Sequence, residues 1–176
     1  TETDTLLDGI DRDVNIVKDR SFLINLLGNY GGFYESVNGA GVGWKPVISL
    51  STIARIESNK QYITTTLEND LGSNNRLQIM NFKKDGYFLY MTDVETDGVS
   101  TASFLVRGTR GTYSKEHKST ERATLYLKNY NLNVIDSRIQ LFNLNDNGVA
   151  GWVAFSNVRI YEIDEETYNK IDVDPE

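Results

Sequence analysis

Gly151-Trp-Val-Ala-Phe-Ser-Asn-Val-Arg-Ile-Tyr-Glu-Ile163 is the stretch whose reading decides the fold class. It is dense in β-branched and aromatic residues, holds no proline, and alternates apolar with polar from Ser156 onward. Side chains of a strand point alternately to its two faces, so Val158 and Ile160 share one face and Arg159 and Tyr161 the other. Beyond Ile163 the chain turns acidic and ends Asp172-Val-Asp-Pro-Glu176. The stretch therefore reads as a closing strand, which must fit a sheet that earlier segments have already built.

Those segments are legible upstream. Val47–Ile56 and Lys60–Glu68 are rich in Ile, Thr and Val, with a turn at Asn59-Lys60. Arg76–Phe82 and Tyr87–Thr92 flank Lys83-Lys-Asp-Gly86, a hairpin signal because Asp-Gly accepts the turn dihedrals. Asp97-Gly98 marks a turn before Ala102–Arg107, and Gly108 to Arg122 is polar. Ala123–Lys128 and Arg138–Leu144 follow, and Asn145-Asp-Asn-Gly148 reads as a hairpin turn before the closing strand. Its resemblance to an EF-hand loop ends at Ala154, where the bidentate glutamate should stand.

About eight to ten short strands and no long helix predict an all-β, two-sheet antiparallel sandwich. The expected core is Ile63, Thr65 and Leu67, Leu77 and Ile79, Phe104 and Val106, Leu125 and Leu127, Ile139 and Leu141, with Val158 and Ile160 packed on Leu125 and Ile139. Tyr62, Gln78, Arg107, Tyr126, Arg138 and Gln140 fall on the opposite faces.

Composition narrows function. The 176 residues carry a net charge of −7, which disfavours nucleic acid, and no cysteine, which removes disulfides and thiolate metal sites. The longest apolar runs, such as Tyr87–Met91, are too short to span a membrane, so no membrane insertion is expected. A chain that opens on Thr1 is expected to be a piece of a longer protein. His117, the one histidine, sits among charges in Ser114-Lys-Glu-His-Lys118 and reads as solvated, and a single histidine makes no histidine-cluster metal site. Asp93, Glu95 and Asp97 alternate and read as a charged sheet edge rather than a hydrolase's carboxylate pair.

Gly28 to Trp44 holds six glycines but lacks the lysine and the helix that a phosphate-binding loop requires. Asn29-Tyr-Gly-Gly-Phe33-Tyr-Glu35-Ser-Val-Asn-Gly39, with Trp44 beyond, resembles the opening of jelly-roll carbohydrate-binding modules. Lys60-Gln-Tyr62-Ile-Thr-Thr-Thr is similar to their second strand, and Phe155-Ser-Asn157-Val-Arg-Ile-Tyr161-Glu to their last. A Tyr between Phe33 and Glu35 departs from the pattern. Similar modules are attached to tail and baseplate proteins of bacteriophages of Gram-positive hosts. The resemblance implies a module over 29–163; by their own composition, 1–28 read as an N-terminal approach segment able to supply an edge strand, and 164–176 as an acidic tail. The resemblance also implies a structural calcium shared by Glu35 and Asn157.

Sugar binding needs flat apolar surfaces rimmed by planar hydrogen-bonding groups. Trp44, Tyr87, Tyr90 and Tyr113 are candidates for the first role, and Gln78, Arg107, Arg110 and Gln140 for the second. Tyr87 and Tyr90 face opposite sides of a regular strand, so at most one of them binds. Trp152 is assigned to the core. The function expected is non-catalytic binding of a bacterial cell-surface polysaccharide by an extracellular, virion-borne module. A sandwich docking another baseplate or tail subunit, and a binding module of a secreted glycoside hydrolase, are the alternatives.

Overall fold

The computed structural model describes residues 24–48, 52–66, 75–80, 85–108, 111–131, 138–144 and 150–171. The strands are β1 (Ser36–Val37), β2 (Ala40–Gly41), β3 (Lys45–Val47), β4 (Thr52–Glu57), β5 (Lys60–Thr65) and β6 (Arg76–Met80). They continue with β7 (Gly86–Thr96), β8 (Thr101–Gly108), β9 (Gly111–His117), β10 (Ala123–Asn131), β11 (Arg138–Leu144) and β12 (Gly151–Ile163). A 3₁₀ turn covers Gly28–Gly31, and one helix, α1, covers Glu165–Lys170. The fold is the expected all-β sandwich of two antiparallel five-stranded sheets. The first runs β10-β7-β12-β5-β4, the second β3-β6-β11-β8-β9.

β12 is the longest strand and lies between β7 and β5. Val153 and Phe155 point into the sandwich, and so do Val158 and Ile160, although two residues of opposite parity cannot share a face on a regular strand. A bulge between Ser156 and Arg159 reconciles them. Asn157 absorbs the extra residue at φ +49°, a left-handed conformation that asparagine tolerates better than most residues. Arg159 and Tyr161 consequently face outward.

Between the sheets lie Ile63, Leu77, Ile79, Phe104, Val106, Leu125, Leu127, Ile139 and Leu141, in one cluster with Val158 and Ile160. Thr65 is buried with them, whereas Leu67 lies outside the described residues. Leu27, Phe33 and Trp44 join the same cluster from the N-terminal side. Gly31 packs its backbone on Val158, so that a Cβ there would overlap the Val158 carbonyl oxygen.

Two expected hairpins do not form. β6 and β7 belong to different sheets, as do β11 and β12, so the Asp85-Gly86 and Asn145–Gly148 signals mark crossings between sheets. Turn chemistry dictates a reversal of direction but not which strand receives the chain. Residues 81–84 and 145–149 themselves lie outside the described residues. Ser58 and Asn59, both at positive φ, do close the β4–β5 hairpin. The polar stretch after Gly108 contains β9, an edge strand paired with β8. Of the approach segment, 1–23 lie outside the described residues, and Asn25 bridges Tyr161.

The acidic C-terminal stretch is helical where it is described. α1 covers part of the first sheet's outer face, where Leu89, Met91, Tyr161, Ile163 and Ile171 cluster with Tyr87, Tyr126 and Tyr168. Lys128 fastens it, donating from Nζ to the carbonyls of Tyr168 at 2.8 Å and Ile171 at 2.9 Å. Asp164 caps its N-terminus by accepting from the Thr167 amide at 2.6 Å. Hydrogen bonds from the Thr167 backbone and side chain hold the Asp164 carboxyl below its ordinary pKa. A lowered folded pKa means that the cap contributes fully above the unfolded aspartate value of about 3.9 and is lost as pH falls through the folded value. Asp164→Ala should therefore speed amide exchange at Tyr168 at neutral pH but change little once pH is below that window. An equal effect at both pH values would contradict the capping role.

Candidate functional site

The face of the second sheet that points away from the core carries the candidate site. Cross-strand register places its side chains in rows, because directly paired residues share a face. Lys45, Gln78, Gln140, Leu105 and Ser114 form the middle row, one from each of the five strands. On one side lie Val47, Arg76, Phe142, Ser103 and Glu116, and on the other Arg138, Arg107 and Thr112. With about 4.8 Å between strands, the middle row spans about 19 Å.

The centre of this face is set up by its own contacts. Gln140 Nε2 donates to Gln78 Oε1 at 3.0 Å, which fixes both amide planes and leaves the Gln140 carbonyl oxygen and the Gln78 amide hydrogens outside this bond. The Arg76 guanidinium stands over the Phe142 ring at 5.6 Å. Ser103, Gln140 and Phe142 are buried although they point away from the core, whereas Arg107 at the end of β8 is exposed. Planar amides, guanidinium groups and an apolar ring thus share one surface. The amides and guanidinium groups can hydrogen-bond vicinal hydroxyls, while Phe142, buried beneath Arg76, supports that surface from below.

Of the residues expected to bind, Gln78, Arg107 and Gln140 are brought together here; Arg110 lies outside the described residues. The aromatic candidates are not with them. Trp44 is 6% exposed, packs on Phe33 with ring centroids 5.6 Å apart, and donates from Nε1 to the Tyr30 carbonyl at 2.7 Å. It is a core residue, because the glycine-rich turn folds inward over the sandwich end instead of projecting from it. Tyr90 is fully buried, its hydroxyl accepting from Asn131 Nδ2 at 3.0 Å. Tyr87 faces outward on the first sheet, between Tyr130 and Tyr168. Tyr113 pairs with Val106, so it projects from the core-facing side of β9 rather than the candidate face.

The sequence reading missed Arg76 and Phe142. Their alternation with Leu77 and Leu141 was the available signal. Trp152 is not a core residue either: it pairs with Thr64 on the first sheet's outer face and meets Tyr62 at 5.4 Å. Asp93 and Glu95 lie on β7, an interior strand rather than an edge, and are held by cations. Arg122 reaches Asp93 at 2.8 Å, Arg159 approaches it at 3.6 Å, and Lys60 reaches Glu95 at 2.8 Å. Asp97 accepts from the amides of Val99, Ser100 and Trp152.

Glu35 is exposed just before β1, and Asn157 is exposed at the β12 bulge. Gly31 and Val158 bring their two segments together. The Asn157 carbonyl accepts from Arg159 Nη1 at 2.9 Å. Among the described residues no three His, Cys, Asp or Glu side chains group as metal ligands, so calcium at Glu35 would depend largely on amide and main-chain oxygens. No described helix is long and apolar enough to cross a membrane.

No protein-family model and no curated protein matches the sequence. Among solved structures, a family 4 carbohydrate-binding module is similar over 78% of this chain and 99% of its own, at 14% identity and a TM-score of 0.55. The ligand-free BiXyn10A CBM1 is similar over 81% and 97%, at 12% identity and 0.53. A variant of a family 29 carbohydrate-binding module is similar over 75% and 89%, at 13% identity and 0.51. The likeness lies in the shared β-sandwich fold.

Proposed function

We propose that the chain is a non-catalytic module that binds a polysaccharide across the outward face of its second sheet. The observation that carries this reading is the paired Gln78 and Gln140 amides at the centre of a face that also holds Phe142, Arg76, Arg107 and Arg138. The fold shared with structures named as carbohydrate-binding modules supports it. Asp93 and Glu95 are engaged by cations on the other sheet, which favours binding without cleavage.

The finer reading is a host-recognition module of a bacteriophage tail or baseplate, with a bacterial cell-surface polysaccharide as ligand. It rests on the resemblance in 29–39 with Trp44, in 60–66 and in 155–162. Desolvating sugar hydroxyls offsets much of the gain from contact, so a single site should reach about micromolar to millimolar affinity, roughly −8 to −4 kcal/mol. Display of several copies on one particle would raise that by making later contacts intramolecular.

Affinity electrophoresis against a panel of bacterial surface polysaccharides, with a reducing-sugar assay alongside, tests the reading. Retardation by at least one polymer without release of reducing ends is expected; release would overturn the non-enzymatic part. The docking alternative has its own support in Tyr34 and Val37, 66% and 61% exposed on the N-terminal side. It predicts that Tyr34→Ser weakens assembly with a neighbouring subunit while polysaccharide retention is absent.

The structural calcium is likewise a proposal, supported by the adjacency of the Glu35 and Asn157 segments. Chelator should lower the melting temperature, calcium should restore it by mass action, and Glu35→Gln should abolish the response. A wild-type melting temperature indifferent to chelator would leave Arg159 to balance the bulge.

A further inference from the structure

We infer that the polymer taken by the second-sheet face is anionic, carrying carboxylate or phosphate groups along its chain; this rests on the reading of that face as the glycan site. Strands β3, β6, β8 and β11 place Lys45, Arg76, Arg107 and Arg138 on the face and contain no Asp or Glu. Glu116, on the edge strand β9, is the acid that the described part of the face does hold. This concentration of cations occurs on a chain whose net charge is −7.

The two outer faces handle their cations differently. On the first sheet, Arg55 meets Glu57, Lys60 meets Glu95, and Asp93 faces both Arg122 and Arg159. Lys128 is satisfied by two carbonyls. On the second sheet, Lys45, Arg107 and Arg138 have no ion-pair partner among the described residues. Arg107 and Arg138 are moreover direct cross-strand neighbours. Like charges placed opposite each other on adjacent strands destabilise a sheet. Arg138 Nε is also buried without a hydrogen-bond partner, which costs desolvation that nothing in the described structure returns.

An anion lying between Arg107 and Arg138 offsets the repulsion between them. The guanidinium fork matches the two oxygens of a carboxylate or phosphate, and such charge-assisted bonds are about twice as strong as neutral ones. The rows then divide the work. Gln78 and Gln140 engage hydroxyls in the middle, and cations on either side engage the charged substituents. A neutral polymer would leave the repulsion in place.

The test sets the chain against polygalacturonate, a glycerol-phosphate teichoic acid, a soluble neutral xylan and single-stranded DNA, by affinity electrophoresis and calorimetry. One or both anionic glycans should be retained, and which one identifies the group recognised. Xylan should be held far more weakly, and raising salt from about 0.05 to about 0.5 M should weaken the anionic interaction. Arg107→Gln and Arg138→Gln should each weaken it about tenfold, the scale of one lost charge-assisted contact. Lys170→Gln, on α1 against the first sheet, should not. Without ligand, Arg107→Gln should melt no lower than wild type, because it relieves repulsion.

Xylan bound as tightly as the anionic glycans, with loss in Gln78→Ala, would overturn the anionic inference and keep the glycan site. Retention of DNA as strong as that of the anionic glycans would overturn it in favour of general polyanion binding. Anionic binding indifferent to both arginine substitutions would remove it from this face. Failure to retain any of the glycans would contradict both the inference and the reading beneath it.

Discussion

Trp44→Ala is expected to lower the unfolding free energy by about 3–5 kcal/mol, the range for deleting a large aromatic side chain from a packed core. The indole is 6% exposed and belongs to the cluster that also holds Phe33, Ile63 and Val158. Its removal leaves a cavity that the surrounding strands cannot close, and strips the Tyr30 carbonyl of the Nε1–H donor at 2.7 Å. Gly41 already packs against Phe33 and Trp44, so the turn has little freedom to fill the gap by sliding. Urea titration monitored by far-UV circular dichroism measures the loss. Tyr34→Ala, only ten residues away and 66% exposed, should stay within about 0.5 kcal/mol of wild type. A stable Trp44→Ala protein that had lost glycan binding would return Trp44 to the surface.

The second large effect concerns binding. Gln78→Ala with Gln140→Ala should reduce polysaccharide retention to the background of a non-binding control, while the melting temperature changes little. Each amide holds the other in plane through the 3.0 Å bond, so either single substitution also releases its partner. Losing one neutral hydrogen bond costs the fold only about 0.5–1.5 kcal/mol. Binding loses more, because the amides no longer present fixed donors and acceptors and must be ordered anew. The single variants should each bind about tenfold more weakly, which is about 1.4 kcal/mol. Undiminished retention by the double variant would place the site elsewhere.

The fold was readable because alternation survives wherever a strand has one wet and one buried face. Leu77 with Gln78, Ile139 with Gln140 and Val106 with Arg107 each show it, and the same alternation placed three of the polar site residues on one surface. What failed was partner choice. Asp85-Gly86 signals a reversal, and the chain reverses into the other sheet, a choice made by the packing of β7 between β10 and β12. β9 was hidden because an edge strand such as Gly111–His117 is largely solvated and needs no apolar face. Aromatic residues misled for another reason. Trp44 and Tyr90 each offer a large apolar surface with one polar atom, which suits a sugar platform and a buried anchor equally. Only the Tyr30 carbonyl and the Asn131 amide, far from them in sequence or hidden by the fold, decide for the anchor.

Backbone and side-chain amide chemical-shift mapping during titration with a retained polysaccharide tests the central claim most directly. The largest changes should fall on the side-chain amides of Gln78 and Gln140 and on the backbone of Ser103, Arg107, Arg138 and Phe142, with the first sheet's Tyr62, Trp152 and Tyr161 unmoved. Changes centred on Tyr62 and Trp152, or on Tyr30 to Val42, with the second-sheet face silent, would contradict it.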